Sequence, residues 1–111
     1  MVKTEIRLSQ DRIRAEGRYT AESLYATIDK VFSKHGFKRI NLDDGTIAYS
    51  GNGAPSDYGT FGMIITGLKD KSWFVNNLDK WLWYNSDDGA DDNDFSVEDI
   101  LFHYTKRASV A

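Results

Sequence analysis

The chain has no cysteine among its 111 residues. That excludes a disulfide framework, a thiolate zinc site and a cysteine nucleophile together. A single proline leaves no Pro-rich linker to divide the chain. The longest strongly apolar run is Met63-Ile64-Ile65, far short of a membrane span, and the opening stretch Met1 to Arg7 has no apolar signal core. The expected setting is the reducing cytoplasm. Histidine is scarce as well. His35 ends an amphipathic stripe, His103 falls near the end of the last expected helix, where the dipole favours a cation, and neither has a partner at ligand spacing. There is no Walker motif, and Gly51-Asn52-Gly53 starts like a dinucleotide fingerprint but has Ser56 where the third glycine belongs. No cofactor is therefore expected. Carboxylates are too numerous for a general acid–base pair to be picked, which leaves a small enzyme with an unrecognised carboxylate site as a minor alternative.

What the chain does have is enough apolar material for one core. Hydrophobic residues make up 41% and aromatics 14%, so residues 1–111 are expected to form a single α+β domain. The net charge of −3 is unevenly spread: residues 1–39 carry nine Lys and Arg against five Asp and Glu, whereas residues 40–105 carry three against twelve. Oppositely charged halves either pack together or present two faces to different partners.

Patterning supplies the elements. Residues 4–8 and 12–19 alternate like strands, although helix for the first sixteen residues is the competing reading. Over 21–35, Leu24, Tyr25, Ile28, Val31 and Phe32 recur at helical spacing, with Thr20 as N-cap and Gly36 suited to the left-handed position beyond the C-terminus. Residues 37–50 read as a hairpin turning at Asp43-Asp44-Gly45. Residues 61–68 read as a central strand because Met63, Ile64 and Ile65 are consecutive. Helices over about 72–85 and 96–107 complete the set, the last capped by Ser96. The expected architecture is an antiparallel sheet, containing the hairpin 37–50, the strand 61–68 and the N-terminal strands, packed against the helix 21–35 and two C-terminal helices.

All three tryptophans lie in Trp73 to Trp83, which runs directly into the acidic stretch Asp87-Asp88-Gly89-Ala90-Asp91-Asp92-Asn93-Asp94. Large amphipathic rings supply contact area, and acids supply steering. On a helical wheel Phe74, Leu78, Trp81 and Leu82 make one apolar face, and Trp83 points away from it. This marks Trp83, Tyr84, Asp87, Asp88, Asp91 and Asp92 as candidate partner-binding residues. A calcium count begun at Asp87 places Asp91, Asn93 and Glu98 at ligand positions, but Gly89 and Asp92 break the pattern. If 12–19 were a strand, Arg12, Arg14 and Arg18 would share an outward face able to meet phosphates, although Glu16 in the same row and a pI of about 5.3 oppose it. The reading favoured by residues alone is a small cytoplasmic, non-enzymatic protein-binding accessory or inhibitor, comparable in size and charge to small immunity or anti-defence proteins. A nucleic-acid-binding domain is the runner-up.

Overall fold

The computed structural model describes residues 1–110. Its organising element is strand β1, Val2–Leu8, in which Val2, Thr4, Ile6 and Leu8 are buried on one face while Lys3, Glu5 and Arg7 point to the other. On one side β1 pairs antiparallel with β3, Ile47–Ser50, and on the other with β4, Leu78–Asn85. The edges are β2, Lys38–Asn41, and β5, Ser96–Asp99, giving a five-stranded antiparallel sheet in the order β2-β3-β1-β4-β5. One hydrophobic cluster joins the inward residues of β1, β3 and β4 to the apolar side chains of the helices. The molecule is therefore an α+β fold, a sheet with its helical layer on one face.

Helix α1, Gln10–Glu16, starts at Ser9, whose Oγ accepts from the Arg12 amide at 3.1 Å, and stops at Gly17 in the left-handed region. Helix α2, Ala21–Ser33, is capped by Thr20 as expected, with Oγ1 accepting from the Ser23 amide. Its C-terminus closes as a Schellman motif around Gly36: the Gly36 amide bonds Ser33 O, the Phe37 amide bonds Phe32 O, and Phe37 folds back into the core. Leu24, Ile28 and Phe32 are buried, and Phe32 stacks on Tyr49 of β3 at 4.1 Å. The hairpin of residues 37–50 is present as β2 and β3.

Four segments differ from the sequence expectation. Residues 10–16 are helix and not strand, so Arg12 and Arg14 lie on α1 and Arg18 in the following loop, and the Arg12/Arg14/Arg18 strand face does not exist. Residues 61–68 belong to helix α3, Asp57–Lys69: Phe61, Ile64, Ile65 and Leu68 are its buried stripe, an i, i+3, i+4, i+7 pattern hidden by the run of consecutive apolar residues. The span 72–85 splits into a one-turn helix α4, Ser72–Val75, and strand β4. Trp81-Leu82-Trp83-Tyr84 is a strand because bulky aromatics suit a pleated surface and its alternation matches β1. The last expected helix is likewise shorter, running as α5 over Ile100–Thr105 behind β5, with Asp99 and not Ser96 as N-cap.

Because Ile28 is fully buried between α2 and the sheet, Ile28→Ala is expected to cost about 2–4 kcal/mol through the cavity it leaves. Val31→Ala, at a half-buried position, should cost clearly less. Denaturant unfolding of the two variants measures both values, and equal losses would contradict the packing.

Candidate functional site

Strand alternation separates the two aromatic residues that sequence reasoning had grouped. Trp83 points to the helical face and packs on Phe61 at 5.7 Å and Tyr58 at 6.1 Å, whereas Tyr84 points to the opposite face, edge-on to Phe95 with the Lys3 ammonium 4.5 Å above its ring. One partner surface therefore cannot use both. Two residues earlier, Trp81 is completely buried against Phe74 and Tyr104. Trp83 is less buried because it lines a groove of about 180 Å3, with Tyr58, Gly62 and Thr66 on one wall and Glu98 and Tyr104 on the other. A neighbouring cavity of about 310 Å3 shares Tyr58 and is lined by Asp57, Asp87 and Asp92. Tyr58, 55% exposed, is the common wall.

The α3 wall is unusual in a chain with 28% charged residues. Its exposed positions are Tyr58, Gly59, Gly62, Met63, Thr66 and Gly67, and none is charged. A Cβ built on any of the three glycines meets nothing within 4 Å, and none has a positive φ, so neither close packing nor backbone conformation requires glycine there. Each glycine weakens the helix relative to alanine without a return in packing. By contrast Gly51 is required: a Cβ there would lie 2.8 Å from Asp57 Oδ2, the oxygen that accepts from the Asn52 and Ala54 amides and holds the loop before α3.

The acidic loop joins β4 to β5, and much of it is engaged in its own structure. Asp87 pairs with the Met1 ammonium at 2.8 Å, Asp91 Oδ1 accepts from the Asn93 amide and Asp94 Oδ2 from the Ala90 amide. Asp88 and Asp92 have no hydrogen-bond or ion-pair partner among the described residues. The stretch counted from Asp87 does not sit in an EF-hand setting. The loop is flanked by strands and not helices, Glu98 sits on β5 opposite Trp83 and 3.6 Å from His103 Nδ1, and no group of three His, Asp or Glu residues able to hold a metal forms among the described residues. His35 packs beside Phe37.

The opposite sheet face is charged but internally matched. Arg7 and Lys80 are direct cross-strand neighbours, a repulsive pairing, and Asp44 relieves it by lying 3.0 Å from Arg7 and 3.3 Å from Lys80. Glu5 adds contacts to Lys80 and Lys3. Hydrogen bonding from Thr46, followed by that from Lys80, holds the Asp44 carboxyl well below the usual carboxylate range. Beneath the helices, burial first and Asp29 second push the Tyr49 phenol upward, and Asp29 also receives Arg39. This second face thus has fewer free charges to offer than the groove.

Compared with protein-family models, with curated proteins and with solved structures, the chain gives no match. No helix among the described residues is long and apolar enough to cross a membrane.

Two expectations follow. Gly59→Ala and Gly67→Ala should each raise stability by about 0.5–1 kcal/mol in thermal or denaturant unfolding, and a loss in either would show that the fold needs the glycine after all. The depressed Asp44 carboxyl contributes stability that is present above its unfolded value near pH 4 and is lost as pH falls through the lower folded value. Stability measured across that acidic range should therefore fall less steeply in Asp44→Asn than in the parent chain, and parallel curves would contradict the pairing.

Proposed function

We propose that the protein is a small binding module of accessory or inhibitor type that recognises another protein through the α3 face and the groove over Trp83. One observation carries this reading: an exposed helix face with no charge, bearing three glycines that the fold does not use, opens onto a half-buried tryptophan beside a cavity lined by acids. Exposed apolar surface rimmed by polar groups is characteristic of contact sites, and tryptophan and tyrosine are the side chains that anchor them. Of the residues singled out from sequence, Trp83 and Asp92 belong to this surface, Asp87 lines its edge while tied to Met1, Asp88 lies in a separate pocket beside Phe95, Asp91 is taken up in the loop, and Tyr84 lies on the other face. Tyr58, Gly62 and Thr66 join it. The absence of cysteine favours a cytoplasmic site of action. The nucleic-acid reading loses its geometric basis with the missing arginine strand face.

Gly62→Arg tests the proposal, since the new side chain would occupy the groove without meeting anything within 4 Å of its Cβ. A partner captured from the native cells by the tagged protein should be lost with Gly62→Arg and retained with Ile40→Lys, a change at an exposed site on an edge strand. Neither variant should melt well below the parent. A partner held equally by Gly62→Arg would contradict the proposal.

A further inference from the structure

The groove has a shape and a charge environment from which its occupant follows. Its α3 wall presents Tyr58, Gly62 and Thr66 at i, i+4 and i+8, a line about 12 Å long at 1.5 Å per residue, and α5 forms the facing wall. Gly62 at the middle of that line lets another backbone approach closely, and about 180 Å3 above Trp83 is room for one large apolar side chain, a volume comparable to cavities that take a benzene ring. A surface of ridges and grooves between two helices is filled most completely by a third helix, with apolar residues at i, i+3 or i+4, and i+7. The neighbouring β5 edge could instead accept an extended strand, but it is only four residues long.

The borders of the groove are acidic. Asp92 lines the cavity that shares Tyr58 and has no hydrogen-bond or ion-pair partner among the described residues, and the carboxylate of Glu98, 55% exposed, stands on the opposite wall. Of the cations beside these cavities, Lys69 is taken up by Asp70 and by the Tyr104 ring, and the Met1 ammonium by Asp87. We infer that the occupant of the Trp83 groove is a basic amphipathic helix of the partner protein, inserting one large apolar side chain over Trp83 and presenting Lys or Arg to Asp92 and Glu98. This inference rests on the protein-binding reading above and adds to it the partner's secondary structure and charge.

A library of random 16-residue peptides displayed on phage, selected on the intact protein and counter-selected on Gly62→Arg, tests it without knowledge of the natural partner. The expected winners are rich in Lys and Arg, poor in Asp and Glu, and carry apolar residues at helical spacing. Their affinity, measured by calorimetry, should fall at least tenfold on Gly62→Arg and about fivefold on the double change Asp92→Asn with Glu98→Gln, and it should weaken as salt is raised. Circular dichroism should show helix forming in the peptide on binding. Winners that need Gly62 but are neutral, acidic or patterned as strands would overturn the basic-helix inference and leave the protein-binding reading standing. An absence of winners, or winners indifferent to Gly62→Arg, would overturn both.

Discussion

Everything in this fold depends on β1 being the middle strand of the sheet with a strict difference between its two sides. Val2, Thr4, Ile6 and Leu8 enter the core, and Lys3, Glu5 and Arg7 face away, so a one-residue slip against β3 or β4 would bury three charges and expose the centre of the core. The register is reinforced from both neighbours. Ile6 stands between Ile47 and Trp81, and Thr4 between Tyr49 and Trp83, with the Thr4 hydroxyl donating to Leu82 O at 2.8 Å. On the outer side Asp44, carried by the β2–β3 turn, bridges Arg7 and Lys80 and so ties the hairpin to the central pair.

The same register produces the groove. Trp81 and Trp83 share a face two residues apart, but only Trp81 packs on rings from both α4 and α5, with Phe74 at 4.8 Å and Tyr104 at 5.8 Å. Trp83 lines the groove that α3 and α5 leave uncovered, so one of its sides completes the core and the other forms a floor open to solvent. A tryptophan held this way is preorganised: its packing on Phe61 and Tyr58 fixes the ring before any partner arrives, which lowers the ordering cost of binding. The acids then sit at the end of the same strand, on the loop between β4 and β5, because the chain must turn there and the loop holds itself with its own Asp and Asn caps.

Sequence patterns revealed the parts of the molecule in which local and tertiary preferences agree. Helix α2, its Thr20 cap, the Gly36 closure and the β2–β3 hairpin were legible because each carries a periodicity and a matching turn or cap residue. They misled where a short apolar run fits two periods. Met63-Ile64-Ile65 reads as a buried strand until Phe61 and Leu68 are counted with it, and Phe74 to Trp83 yields a convincing helical wheel although its second half is a strand selected by pairing with β1. The site was half legible: Trp83 and the acids stood out by composition, whereas Tyr58, Gly62 and Thr66 carried no sequence signal beyond glycines in what proved to be a helix. That signal, three glycines in one helical period pattern, was the available clue.

The claim that α3 and Trp83 form a contact surface is tested most directly by amide hydrogen exchange of the protein with and without its captured partner. Added protection should concentrate in residues 58–67, around Trp83 and in the loop 87–94. Protection confined to the other sheet face, at Lys3 to Arg7 and Lys80, or to α1 with Arg12 and Arg14, would contradict it.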